Sequence, residues 1–158
     1  MDISFKTPLG RFNYRVAGLI IHEGELLIMQ DINQPYYYIP GGRVGLHEKS
    51  EEAILREIRE ELAIEVEIER FLWVNENFFT EEISSEKFHE ICFFYLLNVK
   101  DSSLLENGNQ FVVNEDGKVH TYRWVKFKEL VNLPVYPSFL SEHLENLPSE
   151  IQHIIEIK

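Results

Sequence analysis

The stretch from Gly42 to Ile64 constrains this chain most, because a glycine turn there gives way to a helix with two different faces. Tyr36-Tyr37-Tyr38-Ile39 is β-prone and stops at Pro40, which has no amide donor, and Gly41 and Gly42 follow as a pliable turn. The spacing then predicts a helix from about Glu51 to Leu62. Ser50 can cap it, Glu51 and Glu52 favour its positive end, and Ala53 at the third helical position leaves a capping box incomplete. Ile54, Leu55, Ile58 and Leu62 fall within an arc of about 100°, and Glu57, Glu60 and Glu61 fall within an adjoining arc of about the same width. The first arc anchors the helix in a core. The second gathers carboxylates about 5–6 Å apart, each pair costing a few tenths of a kcal/mol in water. Read alone, such a face also fits plain solvated surface. If something neutralises it, an all-oxygen set suits Mg²⁺ or Mn²⁺, which keep waters and bridge carboxylates to phosphates.

Composition narrows the ligand. A formal charge of -12 with no cluster of Lys and Arg argues against a nucleic-acid binder, so a phosphate ester would need a cation to mediate. Cys92 is the only cysteine, which excludes an internal disulfide and a thiolate zinc site and suits a reducing compartment. Neither the first residues nor the longest apolar run, Ile91 to Leu97, resembles a signal peptide or a membrane span, so the expectation is a soluble cytoplasmic protein with no membrane partner. The length of 158 residues suits one domain over residues 1–158.

The rest of the chain reads as mixed α/β. Tyr14 to Ile21 and Glu25 to Gln30 form a hairpin around His22-Glu23-Gly24, where the glycine supplies a positive φ. Ile64 to Thr80 is β-branched and aromatic, Glu81 to Lys87 is a polar loop, and Phe88 to Val99 is apolar on both alternating faces, as in a central strand. Asp101 to Gln110 is polar, His120 to Phe127 is a strand, Lys128 to Asn132 and Pro137 to Leu147 are short helices, and Ile151 to Ile157 is a final strand. Helices covering a mixed sheet, of the α+β type, are the sum.

Written out, Gly42, five residues, Glu48, seven residues, then Arg56-Glu57-Ile58-x-Glu60-Glu61-x-Ala63-Ile64, the segment 42–64 resembles the Nudix box. Each defined position matches except Ala63, where the family has glycine. The resemblance implies an α/β/α sandwich of MutT-like type. It also implies Mg²⁺- or Mn²⁺-dependent hydrolysis of a nucleoside diphosphate linked to another moiety: a nucleotide, a nucleotide sugar such as ADP-ribose, or a nucleoside triphosphate. It further implies that Glu57, Glu60, Glu61 and the Gly42 carbonyl bind the metal, that Glu57 activates water, that Arg56 orients it and that Glu48 supports the loop. Two other branches are weighed against this. A non-catalytic ligand sensor tends to lose the acids, and an isoprenoid diphosphate isomerase relies on further Cys and Glu residues. The family glycine serves a left-handed helix end, where alanine costs on the order of 1 kcal/mol.

Outside the box, Arg15, Arg43 and Tyr38 are candidates to bind substrate, against solvated charge for the arginines and strand packing for the tyrosine. Glu81, Glu82, Glu115 and Asp116 are candidates for a base drawn from another loop, although each alone reads as surface. The histidines lack zinc spacing and read as hydrogen-bonded structural residues, and Cys92 reads as core. The oligomeric state stays open, a homodimer included.

Overall fold

The computed structural model describes residues 1–100 and 103–158; Asp101 and Ser102, which begin the polar stretch 101–110, lie outside the described residues. The chain opens with β1 (Ser4–Thr7), which the sequence reading did not anticipate, and β2 (Gly10–His22), which starts earlier than Tyr14. β2 turns into β3 (Glu25–Asp31) through Glu23 (φ 49°) and Gly24 (φ 75°), with His22 and Glu25 closing the hairpin. Two positive φ values match the strand twist, which is why glycine suits the second position.

After β4 (Tyr37–Tyr38) the expected glycine turn is instead a short strand, β5 (Gly41–Arg43), paired antiparallel with β2 through Arg15↔Arg43, Val16↔Gly42 and Ala17↔Gly41. Neither glycine has a positive φ. Gly41 is required for space, since a Cβ there would lie 2.1 Å from the Val16 carbonyl oxygen; a Cβ on Gly42 would lie 2.2 Å from the Glu57 carboxyl carbon, so its absence lets the end of that side chain lie against β5.

Helix α1 (Ser50–Leu62) follows the expected span, but its N-cap is Lys49 rather than Ser50. The third helical position is therefore Glu52, whose carboxylate accepts from the Lys49 N–H at 3.2 Å, half of a capping box. Ser50 instead ties the helix start to the sheet, its hydroxyl 2.6 Å from that of Tyr95. At the far end Ala63 is left-handed (φ 55°, ψ 35°) and its N–H donates to the Arg59 carbonyl at 3.0 Å, as the box departure implied.

Then come β6 (Val66–Thr80), which starts two residues after Ile64, β7 (Lys87–Val99), a short α2 (Ser103–Glu106), β8 (Gln110–Glu115) and β9 (Lys118–Lys126). β8 was not foreseen. Its polar start hid a hairpin closed by left-handed Asp116 and Gly117. The helix expected at Lys128–Asn132 is a 3-10 helix over Phe127–Asn132, and that expected over Pro137–Leu147 shrinks to α3 (Leu140–His143), preceded by β10 (Val135–Tyr136). β11 (Gln152–Ile157) is the final strand.

β2 holds the sheet together. β1 and β5 lie along one edge of it and β7 runs parallel along the other, followed by antiparallel β6 and parallel β11. Its last two residues also pair with β3, which carries β9 and β8 on one side and β4 and β10 on the other. The alternation of side chains then decides the layers. Val16 and Ile20 face α1 through Ala53, Ile54, Ile58 and Leu62. Ala17 and Leu19 face the opposite way and meet Leu130, Phe139, Leu140 and Leu144, with Cys92 buried among them. Helical segments thus cover both faces of a mixed sheet, the α+β sandwich that was expected, and α1 hangs beside the β5 edge. Among the described residues no helix is long and apolar enough to cross a membrane.

Candidate active site

Arg56 is the hub of the polar face of α1. Its Nε and Nη2 donate to the two Glu48 oxygens at 2.6 and 2.9 Å, and Nη2 also donates to the Arg43 carbonyl at 3.1 Å. Its Nη1 donates to Glu57 Oε1 at 2.9 Å and to Glu60 Oε2 at 3.2 Å. Glu48 also accepts from the Gly45 N–H at 2.7 Å, so the loop after β5 is clamped to the helix through one forked ion pair. The Arg56 guanidinium holds the Glu48 carboxyl below the usual carboxylate range.

The three helix carboxylates differ mainly in burial. The side chain of Glu60 is 49% exposed and that of Glu57 16%, whereas Glu61 as a whole residue is 7% exposed. Burial raises the Glu57 carboxyl above its ordinary value, with Arg56 opposing. Glu61 is pushed up to about 9, chiefly by burial and then by the charges of Glu57 and Glu115, although the Gly41 N–H donates to it. Its Oε2 is buried with no hydrogen-bond partner. An acceptor left this way is expensive unless a positive group reaches it.

A divalent cation fits these residues. The donors are all oxygen, one of them is buried and unmet, and the missing Cβ of Gly42 lets the Glu57 carboxyl lie against the backbone of β5. Among the described residues no three His, Cys, Asp or Glu side chains converge on one point. Arg56 bridges Glu57 and Glu60, so a common ligand set needs side-chain rotation.

Arg15 and Arg43 are cross-strand neighbours on β2 and β5. Arg43 is 3.9 Å from Asp2, and its Nε is buried without a partner. Arg15 is half-buried and makes no ion pair among the described residues, and its charge lowers the pKa of both Glu57 and Glu61. Tyr38 faces the same space from β4. Burial raises its phenol, and its hydroxyl hydrogen-bonds Asp31. Glu115, at the end of β8, is close enough to act on Glu61. The other loop acids are placed elsewhere: Glu81 is held by Ser84 and the Ile83 N–H within its own turn, Glu82 is exposed, and Asp116 sits in the β8–β9 turn.

His120, which the sequence reading took as structural, and Asp31 and Tyr122, which it left out, complete the inner wall. His120 Nδ1 lies 2.5 Å from Asp31 Oδ1, the hydrogen-bonded histidine that was expected, though beside the site. Tyr122 is fully buried with an unpartnered hydroxyl, and the charges of Glu61 and Glu115 raise its phenol further after burial. The signal available for His120 and Tyr122 was the alternation His120, Tyr122, Trp124 on one face of a strand, which carries no chemistry by itself.

A sequence profile of the NUDIX domain matches residues 12–147. Among solved structures, the chain is similar to a MutT protein from Bacillus halodurans, with 16% identity and a TM-score of 0.60 over 89% of each chain. It is also similar to an ADP-ribose pyrophosphatase from Streptococcus suis, with 12% identity and a TM-score of 0.55 over 89% of this chain and 98% of the other. A UDP-X diphosphatase matches 89% of this chain with 18% identity and a TM-score of 0.54, and this chain spans 61% of its length. At these identities the likeness is one of fold.

Proposed function

The chain belongs to the Nudix family, and on that footing we propose that it hydrolyses a nucleoside diphosphate linked to another moiety, by attack of water on phosphorus. The observation that carries this reading is the buried, unpartnered Oε2 of Glu61 on a helix face that also presents Glu57 and Glu60. Three carboxylates with a raised, solvent-poor member are costly as a solvated face and suited to Mg²⁺ or Mn²⁺.

In this reading Glu57, Glu60, Glu61 and the Gly42 carbonyl hold the cation. When bound, it offsets the charge of the diphosphate oxygens and acidifies water. Glu57 takes the proton of the attacking water, and the burial that lifts its pKa makes it a better acceptor. Arg56 fixes the Glu57 carboxylate in place, and Glu48 fixes Arg56. Arg15 and Arg43 take phosphate oxygens, and Tyr38 bounds the pocket against Asp31. The net charge of -12 and the Arg15–Arg43 pair suit a small diphosphate ester rather than a polymer.

The test is a panel of nucleoside diphosphate derivatives that starts with the ADP-ribose and UDP-linked classes for which two structural neighbours are named. Each substrate is incubated with Mg²⁺, with Mn²⁺ and with EDTA, and the products are identified. The expected result is metal-dependent cleavage of the anhydride, with phosphate left on both fragments. Turnover indifferent to EDTA, or none across the panel, would overturn the reading.

A further inference from the structure

β11 ends the sheet on the side away from β5. Among the described residues it pairs with β6 alone, so its outer edge carries backbone groups that no strand meets. The Lys158 N–H donates to the Phe78 carbonyl at 2.9 Å. In a parallel pair this turns the even-numbered residues toward β6 and the N–H and C=O groups of His153, Ile155 and Ile157 outward. The strand is regular: Gln152 to Ile157 follow Trp73 to Phe78 with no register shift. Edges of this kind are commonly blunted by proline, lysine or a bulge. The run Ile151-Gln152-His153-Ile154-Ile155-Glu156-Ile157 has neither proline nor lysine. Ile151, Ile155 and Ile157 are 58%, 55% and 80% exposed and share one face by alternation. Glu156, the one acid in the run, is turned to the Ser138 hydroxyl at 2.9 Å.

The charges along this edge say what fits it. A second copy of β11, laid antiparallel across a two-fold axis at Ile154, sets His153 opposite Ile155 and Ile151 opposite Ile157. Both are odd-numbered pairs, so their outward amide groups meet, and the exposed isoleucines cover each other. On the other face Gln152, an amide donor, falls opposite Glu156. Just outside the strand, exposed Glu150 of each copy comes to Lys158 of the other. The Lys158 ammonium lies 4.4 Å from the centre of the Tyr136 ring, on that same face. The neighbouring registers that keep the amide groups aligned lose this match. An axis at His153 sets Glu150 against Glu156, two like charges, and an axis at Ile155 sets Lys158 against neutral Gln152 and Glu156 against Ile154.

We propose that two copies of this chain pair through β11 in the register centred on Ile154, so that the sheets of both run on as one. Each copy has one β11 and uses its outer edge completely, so the assembly closes at a dimer. β2, β7 and β6 separate β5 from β11 in each copy, which leaves both acidic α1 faces open and makes the pairing independent of the hydrolase reading. A strand edge of this length buries less than the roughly 800 Å² per partner of a standard interface, so the dimer is a weak one, with a dissociation constant on the order of micromolar.

Sedimentation equilibrium of the intact chain tests it. As concentration rises through the micromolar range, the mass should climb from the 18.7 kDa of one chain to twice that and stop. Ile155→Pro removes an outward N–H without touching a bond to β6, a change that an edge strand tolerates, and should leave a monomer. Lys158→Glu sets like charges against Glu150 and should weaken association about tenfold, and adding Glu150→Lys to it should restore the wild-type constant. Should Ile155→Pro fail to fold, this charge exchange carries the decision. Mild oxidation reads the register: Ile154→Cys faces itself across the axis and should form a disulfide between copies, whereas Ile155→Cys should not, and Cys92 is buried away from both. A monomer at every concentration, growth beyond a dimer, or a dimer indifferent to Ile155→Pro or to the charge exchange would overturn the proposal. So would a disulfide through Ile155→Cys in place of Ile154→Cys.

Discussion

The acidic face of α1 and the polar strip of Ser4, Asn13, Glu90, Asn77 and Glu156, which the registers align across β1, β2, β7, β6 and β11, face the same problem with opposite wiring. On α1 the polar groups are bonded to near neighbours in sequence: Arg56 reaches Glu57, Glu60 and Glu48, all within a single loop and helix. On the strip the partners are far apart in the chain, as in Asn13 with Glu90. Each region keeps buried acceptors unmet, Glu61 Oε2 in one and Asn77 Oδ1 and Glu156 Oε1 in the other. The first sits among carboxylates and suits a cation, whereas the second lies on the opposite sheet face, with Asn75 and Ile154 two residues before it on the same two strands. A local motif can thus gather polar groups that are near in sequence, while the sheet register gathers those that are far apart.

The sharpest way to break this division is Glu57→Gln, which removes the charge and the proton acceptor without changing size. Turnover should fall more than a hundredfold with the circular dichroism spectrum unchanged. A rate within about threefold of wild type would move the base to Glu115, the loop acid that lies by Glu61. Gly42→Ala comes next. Its Cβ would meet the Glu57 carboxylate oxygens at 2.4–2.5 Å, so the end of the Glu57 side chain must turn away and activity should fall, while the melting temperature changes little. Unchanged activity would show that the Glu57 carboxylate does not need its place against β5.

Glu61 adds a pH test on metal-stripped protein. Its carboxyl is raised in the folded state to about 9 from an ordinary 4.5. The folded form therefore holds the proton more tightly, and the stability this contributes is complete below about pH 4.5 and is lost as pH rises toward 9. Relative to wild type, Glu61→Gln should gain stability across that window, on the order of a few kcal/mol, and saturating Mg²⁺ should restore the wild type. A stability difference that stays flat with pH in denaturant titrations would show that Glu61 is charged and satisfied without metal. The smallest expected effect is at Ala63. With φ at 55°, Ala63→Gly should stabilise by roughly 0.5–1 kcal/mol and leave turnover unchanged. A net loss in thermal melting would mean that the freedom gained by the unfolded chain outweighs the relief of strain.

What could be read in advance follows the same line. The span of α1, its two faces and the left-handed end at Ala63 are properties of one short segment and its periodicity, and so they were legible. The Gly41-Gly42 pair was misread because flexibility and lack of bulk are indistinguishable in a glycine until its neighbours are known. Here the neighbours are Val16 and Glu57. Strand β8 was hidden because its burial alternates on a chain edge that begins with polar residues. Asn13, Asn77 and Glu156 look like ordinary polar residues in strands. Only the pairing of β2 with β7, β7 with β6 and β6 with β11 brings them into one row.

The central claim, that the α1 carboxylates are a divalent-cation seat, is tested most directly by titrating Mn²⁺ into the protein and following free metal by electron paramagnetic resonance. Wild type should take up Mn²⁺ and release it to excess Mg²⁺. Glu60→Gln should weaken the binding, and the combined Glu57→Gln, Glu60→Gln, Glu61→Gln variant should abolish it while still folding. Equal uptake by wild type and the triple variant would contradict the account.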